Sequence, residues 1–449
     1  SQSLQALHLF YTSDINCGFR VSKGKNFPYL CEDKITAIMP HISNTAEIMP
    51  ESAIRKLTPY ADQAKGDGIK IYHLNIGSPD IKSPEGAYDA VHNYVFDHLP
   101  YSNSAGTYSL RNAIVEKYYK KIGINIDIND MLVTVAGSEA LTMVFQAACD
   151  PDDEVLVMEP FYCNYNTFTL MNRVKLVAVH TDIKDGFKVP PIEEFEKVMT
   201  PRTKAVLLCN PGNPTGTLYT KEDMLAIGEL CRKHDIFLIS DEAYREFCYT
   251  EEPYFSAMQI PNLKENVILV DSASKRYNLC GARIGCIISH NKAVINLITK
   301  IAQARLCPPV LGQVATYGAL SATPEYFEKV REEYIARRDY TIERLNRMDG
   351  VFSPKPMGAF YTVAELPVDD TEKFAKWLLT DFRVNNETVM ITPAEPFYKT
   401  PGIGKNQARI AYVLEVPALK KALDILEKGL KKYNSLDNNG IQRRNRRKA

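Results

Sequence analysis

The chain has 449 residues, 45% hydrophobic and 24% charged, which is the composition of a globular protein with more than one lobe. Its 54 Lys+Arg balance its 54 Asp+Glu, so no global field gathers nucleic acid or an anionic membrane, and small molecules are the expected partners. No apolar run is long enough to span a bilayer and no secretory leader is visible, so a cytoplasmic protein is expected.

Residues 1–38 show neither helical periodicity nor strand alternation and read as an N-terminal extension, with a functional arm as the other reading. The regular part opens at Met39, where the segment 39–85 is expected to begin a smaller domain. It holds a helix from Glu51, interrupted at Pro59 and closed by Gly66 and Gly68, and then the strand-to-turn run IYHLNIGSPD. Gly77 in that turn either lets backbone amides approach a ligand or simply ends the strand. A helix is predicted over Glu85–His98, then a polar loop from Tyr101 to Gly106 and a helix over Ser109–Lys121.

Seven strands follow, mostly separated by helical stretches such as Glu139–Cys149 and Lys221–His234. They are MLVTVA (131–136), EVLVMEP (154–160), KLVAVHT (175–181), KAVLLCN (204–210), IFLISDEAY (236–244), NVILVD (266–271) and GCIISH (285–290). The alternation predicts an α/β fold with a mainly parallel seven-stranded sheet and helices on both faces. Ligands of such sheets collect beyond the carboxyl ends of the strands. Past Leu311 the pattern is helical, with an amphipathic run over Tyr326–Met348. A smaller αβ unit comes next: strand MGAFYTVAEL, helix Thr371–Thr380, strand ARIAYVLE and closing helix Pro417–Tyr433. The expected division is a large domain over 86–315, a small domain from 39–85 and 316–435, and a basic tail over 436–449 that reads as a solvated terminus.

Five stretches carry candidate chemistry. Gly137, Ser138, Glu139 and Ala140 stand where a strand enters a helix; free amides and the helix dipole suit an anion there, and Ser138 equally suits an N-cap. In NPGNPTG (Asn210–Gly216) two Asn-Pro steps hold the Asn213 amide above the sheet, where it can donate to a phenolic oxygen of a bound ring. Asp241 and Tyr244 follow an apolar strand; a buried carboxylate there calls for a cation such as a protonated ring nitrogen, unless Asp241 only caps a helix. In DSASKRYNLCGARIG (Asp271–Gly285), Lys275 sits among small residues beside a second cation, Arg283. A lysine so placed is either a solvated loop residue or a desolvated amine suited to imine formation. Arg409, in QARIAYV, reads by itself as an arginine on a strand. Ten cysteines occur without a C-x-x-C pair, and Cys149, Cys209 and Cys286 sit in apolar runs, so reduced thiols and no zinc site are expected.

Taken in order, with the aromatic EPFYCNY among them, these motifs resemble the fold-type I pyridoxal-phosphate enzymes, specifically the class I/II aminotransferases and their aspartate aminotransferase branch. The resemblance runs from about Glu51 to Tyr433. It implies pyridoxal 5'-phosphate as cofactor and a homodimer with shared active sites. The implied reaction is ping-pong transfer of an amino group from an L-amino acid, with aspartate first, to a 2-keto acid, with 2-oxoglutarate first. It implies that Lys275 forms the imine with the cofactor and moves the α-proton, that Asp241 pairs with the ring nitrogen, that Tyr244 and Asn213 bond the ring hydroxyl, and that Tyr162 stacks on the ring. The phosphate is then expected on Ser138, Glu139 and Ala140 with Ser272 and Arg283, reached by Tyr101 of the neighbouring subunit. Arg409 is expected to grip the substrate α-carboxylate, with Gly77 and Asn213 facing it.

The chain departs from the family at two points. Some branches stack a tryptophan on the ring, whereas the single Trp here, Trp377, lies in a late helix. No cation aligns for a substrate side-chain carboxylate; Arg305, in QARLCPP, is the nearest, either across a dimer interface or in a structural ion pair. The resemblance also leaves open alanine or aromatic donors, and a lyase or decarboxylase. A non-enzymatic cofactor-binding regulator needs a DNA-binding module that neither end of the chain supplies.

Overall fold

Val, Ile and Leu fill the strand runs almost without interruption, the pattern of a sheet covered on both faces. The computed structural model describes residues 41–95 and 97–446, with side chains through 436. Contacts divide the chain into two units, residues 1–47 and 48–449. In the first, the described part holds one helical turn, Asn44–Glu47; the expectation for 1–38 lies outside the described residues. All that follows concerns the second unit.

Its strands in chain order are β1 (Lys70–His73), β2 (Met131–Thr134), β3 (Glu154–Glu159), β4 (Lys175–His180), β5 (Thr203–Cys209), β6 (Phe237–Asp241), β7 (Val267–Ser272), β8 (Gly285–Ile288), β9 (Tyr361–Glu365), β10 (Glu387–Met390), β11 (Thr392–Pro393) and β12 (Gln407–Ala411). The seven-stranded sheet has the order β2-β8-β7-β6-β5-β3-β4. Strands β4, β3, β5, β6 and β7 pair in parallel, and β8 runs antiparallel to both β7 and β2. The mainly parallel seven-stranded sheet read from the sequence is present. The helix Ala136–Ala148 buries Leu141, Met143, Val144 and Phe145, and the helix Lys221–Lys233, opened by a Thr220/Asp223 capping box, buries Met224, Ile227, Leu230 and Cys231. Outside this sheet, β1 pairs in parallel with β10, and β12 runs between β11 and β9 with both neighbours antiparallel.

Four helices differ most from the expected bounds. The one expected from Glu51 begins only at Thr58, because Pro59, read as an interruption, sits in its first turn, where a missing amide costs nothing. The helix from Glu85 ends at His92, where the Asn93 side chain donates to the Asp89 carbonyl and competes with further turns. The next begins at Tyr108 with Thr107 as its cap and widens into a π turn over Val115–Tyr119. The closing helix runs over Val416–Arg446, so the segment from 436 expected as a tail is helical through 446; no proline after Pro417 interrupts it.

One side chain ties the carboxyl edge of the large sheet to the chain after β11. Glu159, the last residue of β3, is buried, and its carboxylate accepts from the Lys399 and Thr400 amides at 2.8 and 2.9 Å and from the Thr400 hydroxyl at 2.7 Å. Two residues on, the Phe161 amide donates to the Phe397 carbonyl at 2.9 Å. Glu159→Ala leaves two amides and a hydroxyl without their acceptor. It is expected to lower unfolding free energy by about 2–4 kcal/mol in a urea titration; a loss below about 0.5 kcal/mol, the range of an ordinary surface change, contradicts this reading.

Candidate active site

The carboxyl ends of β5, β6 and β7 deliver three of the expected residues. Asp241 closes β6 in a buried position, where the Tyr165 hydroxyl donates to one carboxylate oxygen at 2.9 Å and the Ala243 amide to the other at 3.2 Å. No lysine, arginine or histidine pairs with it among the described residues. Burial pushes its carboxyl up to about 6, against the downward pull of the Tyr165 and Ala243 hydrogen bonds. Tyr244, also buried, lies 3.1 Å from the Tyr361 hydroxyl and accepts from the Asn213 amide at 3.4 Å.

Lys275 stands in a four-residue helical turn, Ala273–Arg276, directly after β7, and so on a turn instead of the loop expected. Ser272 caps that turn by accepting the Ser274 amide at 3.1 Å. The Lys275 amine donates to the Gly77 carbonyl at 2.6 Å. Gly77 has no room for a side chain: a Cβ there would lie 1.6 Å from the Tyr361 hydroxyl oxygen. The close approach here is to the Tyr361 side chain, a contact that neither reading of this glycine named.

Arg409, an arginine on a strand as its isolated reading has it, is fully buried there. It sits on the central strand β12, 1% exposed, with Nη1 3.1 Å from the Asn213 side-chain oxygen and Nη2 2.6 Å from the Asn75 carbonyl. The Tyr361 and Phe397 rings lie 4.6 and 5.2 Å from its guanidinium. Its Nε is buried without a partner, and no carboxylate reaches it among the described residues. A buried cation without an acid is expensive unless an anion is meant to arrive.

The remaining candidates occupy less committed positions. Gly137, Ser138, Glu139 and Ala140 lie in the first turn of the helix Ala136–Ala148. The Glu139 carboxylate returns to the Val135 amide at 2.7 Å, which braces the turn. Tyr162 is half-buried, its ring edge-on to Tyr165 at 5.4 Å and its hydroxyl accepting from the Asn164 amide at 2.8 Å. Arg283 is exposed and donates to the Cys280 carbonyl at 2.8 Å; Tyr101 is 78% exposed. Arg305 is committed to structure: it meets Glu139 at 3.1 Å and the Ser104 and Val133 carbonyls at 3.3 and 3.2 Å. The ion pair is present within this chain, and the Arg305 Nη1 is buried without a partner. Trp377 stacks with Phe374 and Phe382 within the small αβ unit.

The class I and II aminotransferase family model matches residues 97–426. The chain belongs to this family. It is 30% identical over 391 residues to the aspartate/prephenate aminotransferase of Thermus thermophilus, an alignment covering 86% of this chain and 98% of that protein. It is 29% identical over 394 residues to aromatic-amino-acid aminotransferase 2 of Thermococcus litoralis, covering 87% and 98%. Among solved structures, the Thermus thermophilus aspartate aminotransferase with maleate superposes with a TM-score of 0.79 at 30% identity, covering 87% of this chain and all of that one. The alanine aminotransferase of Pyrococcus furiosus gives 0.78 at 31% with the same coverage. The fold is that of the fold-type I enzymes, and this aminotransferase is a transaminase that uses pyridoxal 5'-phosphate and takes amino-acid and keto-acid substrates.

The residues of this aminotransferase suit that cofactor. They include an amine on a short turn, a buried carboxylate with no cation of its own, and a serine-bearing helix N-terminus of the kind that holds phosphate. Four residues of the cluster were not singled out in the sequence: three side chains and the Asn75 carbonyl. Tyr165 lies one helical turn beyond Tyr162 in EPFYCNY, a spacing that offered a signal. Asn75 lies two residues before Gly77. Tyr361 and Phe397 had no local signal, since only the fold brings them to Arg409.

The raised Asp241 carboxyl gives a pH test. Because the folded protein holds this proton more tightly than the unfolded chain, stability falls as pH rises from about 3.8 to about 6 and the loss then persists. Asp241→Asn removes the buried charge. Without cofactor it should stabilise the protein at pH 7.5, by at most about 3 kcal/mol, with the gain vanishing near pH 4. Melting curves across that range check it, and an equal shift at both pH values contradicts it.

Proposed function

We propose that this aminotransferase moves the amino group of aspartate to 2-oxoglutarate by a ping-pong cycle, and that Arg409 is the grip for the α-carboxylate of each substrate. The buried guanidinium without an acidic partner carries this reading. Asn213 and the Asn75 carbonyl orient its two terminal nitrogens, leaving the Nε edge for an incoming carboxylate. The aspartate assignment is supported by relatives of that name in Thermus thermophilus and Bacillus subtilis.

When bound, the cofactor supplies an imine-forming aldehyde and an electron-accepting ring. In this reading Lys275 is the attachment residue and then, released, the base that carries the α-proton. Asp241, held by Tyr165, pairs with the ring nitrogen and keeps it protonated. Asn213 and Tyr244 bond the ring hydroxyl, and Tyr162 stacks on the ring. The phosphate rests on Ser138, Glu139 and Ala140, with Ser272 and Arg283 beside it, and Gly77 faces the substrate carboxylate.

We assign the active form to a homodimer in which Tyr101 reaches the neighbouring subunit's phosphate. Its exposure supports this, as do the exposed Tyr88 and Val95. The division into a cofactor domain over 86–315 and a smaller domain from 39–85 and 316–435 accords with where the strands of the three sheets fall in the chain. A cytoplasmic setting accords with the eight free thiols among the described residues.

A second reading has its own support. Arg305 is tied to Glu139, and the walls at Arg409 are the Tyr361 and Phe397 rings, which suits a neutral or aromatic side chain as well as a carboxylate. Donor profiling by the half-reaction separates the two: the absorbance of the loaded protein shifts with aspartate in the first and with alanine or aromatic donors in the second. Arg409→Met should raise KM for every donor on the order of 100-fold while retaining cofactor. Lys275→Ala should lose covalent attachment and the half-reaction. An Arg409→Met protein with parental KM contradicts the grip.

A further inference from the structure

The turn that presents Lys275 has little strength of its own. Ala273–Arg276 is four residues long, and a lone helical turn orders more dihedral angles than its hydrogen bonds repay. An ion pair closes across it. Asp271, in β7, and Arg276, at the end of the turn, are both buried, and one guanidinium nitrogen of Arg276 lies 2.8 Å from each Asp271 oxygen. Asp271 also accepts the Ser272 amide at 2.7 Å, and the Ser272 hydroxyl accepts the Ser274 amide. The four residues spanned by the pair, Ser272 to Lys275, are thus fixed at their entry by a carboxylate and at their exit by a guanidinium.

The pair is itself held from outside the turn. The Tyr119 hydroxyl donates to Asp271 at 2.5 Å, and Arg276 Nε meets Glu246 at 3.2 Å. The Tyr118 ring lies 3.9 Å from the Arg276 guanidinium, and the Tyr118 hydroxyl donates to Glu246. Arg245, paired with Glu242 at 2.6 Å, reaches the same Tyr119 hydroxyl at 3.5 Å. A buried ion pair is a poor route to stability compared with apolar packing, so its geometry is the better explanation of its presence.

We infer that the Asp271–Arg276 pair is a positioning device that holds the Lys275 amine and the Ser272 hydroxyl in register with the cofactor. The inference rests on Lys275 being the attachment residue. Neither Asp271 nor Arg276 touches the reacting atoms; they act through the turn. A misplacement of about 1 Å at a reacting group costs on the order of 100-fold in rate.

The test uses the full-length protein loaded with pyridoxal phosphate. Asp271→Asn/Arg276→Gln removes both charges of the pair together, leaving Glu246 with the Tyr118 hydroxyl as its partner; Arg276→Lys keeps the charge but loses the planar fork that reaches Asp271 and Glu246 at once. Three quantities are measured: the melting midpoint, the pH midpoint of the bound cofactor's absorbance band, and the single-turnover rate with the best donor. The double variant should slow the half-reaction on the order of 10–100-fold and shift the band's pH midpoint. KM for the donor should stay within about twofold, because Arg409 is untouched. Arg276→Lys should fall between the parent and the double variant. A double variant with the parental band midpoint and rate overturns the inference, and so does one whose only change is a lower melting midpoint. If the double variant does not fold, Arg276→Lys decides by the same two readouts: a shifted band and slowed turnover support the role, parental values overturn it. A parent protein that shows no half-reaction with any donor counts against the proposed function instead.

Discussion

A guanidinium buried inside a sheet without a carboxylate is the constraint to which much of this site answers. The surroundings of the buried Arg409 guanidinium must tolerate a cation. They do so with two oxygen acceptors and two aromatic faces, not with an acid. Each of those partners is placed by a different segment. Asn213 comes from the NPGNPTG turn after β5, Asn75 from the segment after β1, and Tyr361 from β9. Phe397 comes from the loop that Glu159 ties to the end of β3. Tyr361 carries the constraint onward, because its hydroxyl touches Tyr244 and leaves room for nothing larger than glycine at position 77.

Charge is handled in two ways in this protein. Around Lys275 the buried charges meet: Asp271 and Arg276, with Arg245 and Glu242 beside them. Burial alone raises the Asp271 carboxyl, yet Arg276 and Arg245 outweigh it and hold the group below its usual range. Asp241 and Arg409 are the opposite case. Both are buried, neither has an ionic partner among the described residues, and Asp241 is pushed up by that burial. The contrast separates charges that pair within the scaffold from the two that the proposed function gives to ligands, Asp241 to a cationic ring and Arg409 to a carboxylate.

The central sheet was legible in the sequence because buried parallel strands leave an unbroken apolar signal. The motifs at their carboxyl ends were legible for a related reason: NPGNPTG and DSASKR spend prolines, glycines and small residues where a plain turn needs few. Side chains contributed singly from distant segments were not. Tyr361 and Phe397 are ordinary core aromatics to any local reading, and only the packing of β9 and the 395–397 turn against β12 reveals them. Helix ends were misjudged for local reasons, as where the Asn93 side chain stops the helix from Glu85 at His92. Arg409 fell between these cases, an ordinary strand arginine by pattern that acquires meaning from burial.

The central claim is that an unpaired buried cation selects substrates by their α-carboxylate. The most direct measurement compares, in the loaded protein, single-turnover rates with an amino acid and with the amine that lacks only that carboxylate. The account predicts that the amine reacts on the order of 100-fold less efficiently in kcat/KM, from the loss of a charge-assisted pair. Equal efficiency for the two would contradict it.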